Sequence, residues 1–124
     1  MAAVGGTLLL GEKVTRITHE GKRVTGVETA SGKVIKAEMV ASNGDLAAQI
    51  HGWAPIARKP LPFPALLVGS RNDPYCSLER AEGLAQAWGA RFIDYGERGH
   101  VNAESGLGDW DEGHGWLMQL ANPA

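Results

Sequence analysis

Cysteine is almost missing from this chain of 124 residues, where Cys76 stands alone. One thiol excludes an internal disulfide framework and a multi-cysteine zinc site. No apolar run approaches the roughly 18–20 residues that a membrane span needs. Excess charge of one sign is also lacking. The net charge is −2 and the pI is near 6.1, which gives no electrostatic reason to expect nucleic acid or an acidic membrane surface as a partner. Residues 1–50 carry six Lys/Arg against five Asp/Glu, and residues 51–124 carry six against nine. The opening MAAVGGTLLLG is apolar but has neither a basic leading region nor a cleavage site, so it does not read as a signal peptide. No internal repeat or low-complexity tract occurs. These absences lead to the expectation of a soluble cytoplasmic protein.

Glycine is plentiful at 17 residues, which implies many turns and short elements. Residues 12–41, EKVTRITHEGKRVTGVETASGKVIKAEMVA, are rich in Val, Ile and Thr and read as three short strands. Glu20-Gly21 and Ser31-Gly32 punctuate them, the latter read as a two-residue hairpin loop. In the last run Ile35, Ala37, Met39 and Ala41 alternate with Lys36 and Glu38. That pattern predicts an antiparallel meander with one wet face.

Beyond residue 50 the pattern changes. RKPLPFP at 58–64 is a proline-rich approach that cannot lie inside a helix. ALLVGS at 65–70 is a continuous apolar run, as expected of a strand in a parallel sheet. Residues 77–89 place Leu78, Ala81, Leu84, Ala85 and Trp88 at helical spacing, with Ser77 as N-cap and Gly89 as the stop. ARFIDYG at 90–96 reads as the next strand, and a last helix from about Glu112 to Leu120 buries Trp116, Leu117 and Leu120. Strand, helix, strand, helix predicts an α/β class with a right-handed βαβ crossover and parallel strands. The boundary between the two styles falls near 46–55, dividing a meander segment, 1–50, from an α/β segment, 51–124, within one composite folded unit. Each half leaves a sheet face or edge uncovered, which predicts a homo-oligomer.

In open parallel sheets, functional groups collect beyond the carboxyl ends of the strands. Two loops leave those ends, SRNDPY at 70–75 and ERGHVN at 97–102. Adjacent strands lie about 4.8 Å apart, which lets Asp73 and His100 meet at one rim. An aspartate bonded to one imidazole nitrogen fixes the tautomer and frees the other nitrogen as a base.

At these residues the sequence resembles the small serine hydrolases of the retinoblastoma-binding-protein type, which are α/β-hydrolases. LPFP, SRNDPY, AWGA and GHVNAESGLGDW carry the resemblance, in order, from about Trp53 to Leu120. It implies Asp73 as triad acid and His100 as triad base. The family's serine sits in a G-x-S-x-G elbow well before this segment, and residues 1–52 contain no such motif. Ser70, Ser77 and Ser105 read as turn or cap residues. The nucleophile therefore stays unknown.

Residues 5–46 are similar to a segment of FAD-dependent desaturases of the phytoene type and related amine oxidases. The matching residues are Val14, Ile17, Gly21, Val24, Gly26, Val27, Gly32, Ile35, Ala37, Val40, Ser42, Asn43 and Asp45. The G-x-G-x-x-G fingerprint is absent and Gly5-Gly6 reads as a flexible entry, so no cofactor is expected. Two partial likenesses make the chain look like a chimera of two fragments.

The remaining candidates read as structure. Asp109, Asp111, Glu112 and His114 suit the start of a helix through its macrodipole, and no metal is expected there. His19 and His51 read as turn or solvent residues, Cys76 as an inert small residue, and Trp53, Trp88, Trp110 and Trp116 as core. The functional expectation is a serine-hydrolase relative that retains Asp73 and His100, acts weakly or not at all, and would take a small ester or amide. A catalytically silent module and a flavin-binding oxidoreductase fragment are the alternatives.

Overall fold

The computed structural model describes residues 6–42 and 56–122. Asn43, Asp45, His51, Trp53, Gly5 and the expected boundary at 46–55 lie outside the described residues. The chain divides into two compact units, Met1–Val40 and Ala41–Ala124.

The first unit is an antiparallel sheet in the order β1 (Val14–Glu20), β2 (Arg23–Thr29), β3 (Val34–Lys36). The tight turn is the first one. Glu20 pairs with Arg23, so Gly21-Lys22 forms the two-residue loop. The second turn differs from the sequence expectation. Thr29 N–H donates to the Lys33 carbonyl at 2.9 Å and Gly32 N–H to the Thr29 carbonyl at 3.0 Å, so residues 30–32 make a three-residue loop. Such loops close through a glycine at positive φ, here 88° at Gly32.

β3 also stops sooner than the alternation to Ala41 suggests. Thr18 pairs with Gly26 and His19 with Val24, which leaves Thr25 as an extra residue on β2. A bulge of this kind bends its strand and sharpens the twist. The β3 ladder ends opposite it, with Ala37 N–H bonded to the Thr25 carbonyl at 3.0 Å. Next to the bulge, Gly26 has φ 155°, and a Cβ there would collide with the Ile35 carbonyl. Val34, Ile35 and Met39 are exposed, so the predicted apolar face does not form a buried core.

Glu12 ties the base of this sheet together. Its carboxylate meets Lys33 Nζ at 2.9 Å and accepts from Ser31 Oγ at 2.7 Å. Lys33 first, then the Ser31 and Thr29 hydroxyls, lower its pKa from 4.5 to about 2.

The second unit pairs β4 (Leu66–Gly69) with β5 (Arg91–Asp94) in parallel, Leu66 opposite Arg91 and Gly69 opposite Asp94. Between them runs α1 (Leu78–Trp88). Its ends are as the sequence predicts: Ser77 Oγ accepts from Arg80 N–H, and the left-handed Gly89 returns its N–H to the last turn. Leu84, Ala85 and Ala81 are the buried stripe that packs toward the strands, with Cys76 beside them. Trp88 lies half-buried, its indole donating to the Ala57 carbonyl at 2.7 Å.

The last helix, α2 (Asp111–Ala121), starts from Trp110, which takes the left-handed conformation at φ 49°. Asp111 and Glu112 occupy its first turn, where the helix dipole favours negative charge. The Trp110 ring is turned back over Gly113 and meets Trp116 edge-on at 6.1 Å, while Tyr95 approaches Trp116 at 5.1 Å. A Cβ at Gly113 would fall inside the Trp110 indole. Trp116, Leu117 and Leu120 are half-buried rather than fully enclosed. No helix among the described residues is long and apolar enough to cross a membrane.

Two glycines of α2 should therefore behave oppositely. Gly115→Ala meets nothing within 4 Å and should stabilise the fold by roughly 0.5–1 kcal/mol through helix propensity. Gly113→Ala must displace the indole and should cost about 1–3 kcal/mol. Denaturant melts of both variants check the contrast. In the first unit, the stabilisation from Glu12 is complete above 4.5 and is lost as pH falls toward about 2. A carboxyl-carbon titration of Glu12 should place its midpoint well below 4.5, and Lys33→Gln should move it upward.

Candidate active site

β4 and β5 end side by side, and their following loops form the rim predicted from the sequence. The β4 loop presents Asp73, and its Oδ1 accepts from Tyr75 N–H at 2.8 Å, an Asx turn that orients the carboxylate. The β5 loop presents His100. Its Nδ1 lies 3.1 Å from Asp73 Oδ1 and 3.0 Å from Oδ2. Both side chains are largely enclosed, 18% exposed for His100 and 12% for Asp73. An ionised carboxylate only accepts, so a neutral imidazole in this pair would carry its proton on Nδ1 and keep its lone pair on Nε2. The Tyr75 ring stands edge-on to the imidazole at 4.7 Å and covers one side of it.

Left-handed residues on both sides shape the histidine turn. Gly99 has φ 61°, and Val101, a β-branched residue, has φ 52°. Such a conformation is costly at valine and holds only where the surroundings impose it. Downstream, Asn102 Oδ1 accepts from Glu104 N–H and Ser105 Oγ accepts from Asn102 N–H, both at 3.1 Å, which closes the short helical turn Ala103–Ser105.

The two loops are cross-tied where they leave the sheet. Arg71 N–H donates to the Gly96 carbonyl at 2.8 Å. The Arg71 guanidinium forks onto Asp94, with Nε at 3.0 Å and Nη2 at 2.9 Å from Oδ2. Arg71, and next the Gly96 N–H, hold the Asp94 carboxyl below the ordinary 3.8, and the same pairing raises the guanidinium. Ser70, buried at 2%, accepts from Arg98 N–H at 2.9 Å and faces the Gly96 carbonyl at 3.1 Å and Asn72 Oδ1 at 3.0 Å. Asn72 Oδ1 also accepts from Gly99 N–H at 2.8 Å.

A cleft of about 530 Å³ opens beside His100, bordered by Tyr75, Arg98, Asn102, Glu104 and Ser105. His100 is part of its lining. The three candidate serines are engaged elsewhere. Ser70 is buried between the loops, Ser77 caps α1, and Ser105 caps the short helical turn. Cys76 is buried with its thiol toward the Ser77 carbonyl at 3.6 Å. His19 Nδ1 sits 3.0 Å from the Gly21 carbonyl in the first hairpin. Asp109, Asp111, Glu112 and His114 do not converge, and among the described residues no three His, Cys, Asp or Glu side chains are grouped to hold a metal ion.

Sequence reasoning anticipated that the Asp73 and His100 loops meet at one rim and read Ser70 as a turn or cap residue, but it singled out neither the Asn72 and Tyr75 contacts nor the Arg71–Asp94 pair. One signal was available: a serine closing an otherwise apolar strand falls where the next loop brings backbone N–H groups.

Comparison with known proteins gives three matches. A protein-family model described as "Serine hydrolase" matches residues 14–119, which takes in both units. A solved structure described as a YdeN-like hydrolase, from Pectobacterium atrosepticum, is 44% identical with a TM-score of 0.51, over 53% of this chain and 36% of that one. A lycopene-forming phytoene desaturase from a Paracoccus species is 54% identical over 43 residues, which is 35% of this chain and 9% of the desaturase. Both resemblances read from the sequence are thereby found. The chain spans about a third of the hydrolase and under a tenth of the desaturase.

The Arg71–Asp94 tie has a pH signature. Because the folded Asp94 is held low, its contribution is present above the ordinary 3.8 and is lost as pH falls through the lower folded value. Arg71→Gln should flatten this acid limb. Melting temperatures measured across it would contradict the assignment if wild type and variant run parallel.

Proposed function

Since the chain belongs to the serine hydrolase family, we propose that its second unit carries the acid and base of an ester- or amide-hydrolysing triad, Asp73 orienting and His100 accepting the proton. The observation that carries this reading is the Asp73–His100 hydrogen bond at the carboxyl ends of paired parallel strands. In such a triad the carboxylate holds the imidazole in one tautomer and stabilises the imidazolium formed when Nε2 takes a proton. The adjoining cleft suits a small-molecule substrate.

The nucleophile is the missing component. No G-x-S-x-G occurs in the sequence, and Ser70, Ser77 and Ser105 are each committed to structural hydrogen bonds. The expected activity of this chain is therefore at or below the residual level of a triad without its serine, which is roughly 10³–10⁴-fold over water where an oxyanion hole persists. The short desaturase likeness beside the hydrolase match supports a composite origin for the chain.

Treatment with a fluorophosphonate, followed by intact mass measurement, tests this reading. The expected result is no stoichiometric adduct from folded protein. A mass gain of one phosphonyl group that disappears in His100→Ala would reveal an activated serine and overturn the assignment of a chain without a nucleophile.

A further inference from the structure

We infer that Ser70 and Asn72 are positioning residues that set His100 against Asp73, an inference that rests on the acid–base reading of that pair. Loops following strands carry more conformational freedom than the strands themselves, yet the Nδ1–carboxylate bond requires both loops in one register. The segment 70–73 supplies that register. Ser70 and Asn72 flank Arg71 and lead directly into Asp73, and they capture the two peptide N–H groups that immediately precede His100.

Arg98 N–H donates to Ser70 Oγ at 2.9 Å, and Gly99 N–H donates to Asn72 Oδ1 at 2.8 Å. The single Ser70 hydroxyl proton is directed between the Gly96 carbonyl at 3.1 Å and Asn72 Oδ1 at 3.0 Å. Ser70 thus fastens the start of the histidine loop through Gly96 and its middle through Arg98, while Asn72 fastens the residue before the imidazole. A donor or acceptor removed from a buried hydroxyl leaves its partners unsatisfied, and Ser70 is 2% exposed. The burial that strengthens the clamp also withholds this hydroxyl from any substrate. Ser70 acts through His100 and does not touch the reacting atoms.

The test reads the imidazole tautomer directly, by long-range proton–nitrogen NMR spectra of the labelled full chain at about pH 8, where an ordinary histidine is neutral. Wild type should show His100 protonated at Nδ1. Ser70→Ala and Asn72→Ala should each lose most of that population while keeping the native circular dichroism spectrum. Asn72→Asp retains both acceptor functions and should restore the wild-type tautomer. Unchanged tautomers in folded Ser70→Ala and Asn72→Ala would overturn the positioning role. If Ser70→Ala does not fold, the exposed Asn72 pair decides by itself. Asp73→Ala separates the two levels: it should abolish the Nδ1–H form, and its failure to do so would instead overturn the acid–base reading.

Discussion

Parallel pairing of Leu66–Gly69 with Arg91–Asp94 is the constraint from which the rest of the second unit follows. Parallel strands need a crossover, and α1 fills it, laying Ala81, Leu84 and Ala85 toward the strands. The same direction sends both carboxyl ends to one rim. An antiparallel arrangement of these two segments would have put Asp73 and His100 at opposite ends of the sheet. Short strands of four residues each could not by themselves fix loops of such length. The backbone bonds at Arg71 and Tyr95, the Arg71–Asp94 fork and the Ser70 hub extend the register past the last strand residue.

Much of this was legible in the sequence because it rests on local chemistry. Ser77 and Gly89 announce the ends of α1, since capping needs a side-chain acceptor at one end and a left-handed residue at the other. That the Asp73 and His100 loops meet at one rim was legible from strand direction, and the family resemblance pointed to the same two residues. What stayed hidden depends on neighbours distant in the chain. The three-residue turn before β3 and the bulge at Thr25 are set by pairing across strands, which composition does not report. Ser70 looked like any turn serine, because its partners Gly96 and Arg98 lie beyond α1 and β5. Trp110 gave no hint of its left-handed backbone, which is tolerated because Gly113 leaves room for the ring.

The two units also differ in how they are held. The second has a small apolar centre and a polar rim, whereas the first leaves Leu8, Leu10 and Val34 in solvent and relies on its ladders and on Glu12 at their base. The family match spans both units, while the solved hydrolase covers 53% of the chain. The chemistry proposed here draws only on residues of the second unit. Hydrolase ancestry and hydrolase competence are separable: the Asp73–His100 pair is held in register by hydrogen bonds that involve no G-x-S-x-G serine.

The aromatic group beyond the histidine loop has an optical consequence. Trp110 and Trp116 stand at 89° with ring centres 6.1 Å apart, and Tyr95 lies at 83° to Trp116. Electronic transitions of chromophores this close and this skewed couple into a chiral pair. Side-chain packing of that kind is what near-ultraviolet circular dichroism detects. Because Tyr95 directly follows β5 and Trp110 opens α2, the chain carries its own spectroscopic gauge of whether the loop between them is in its native shape.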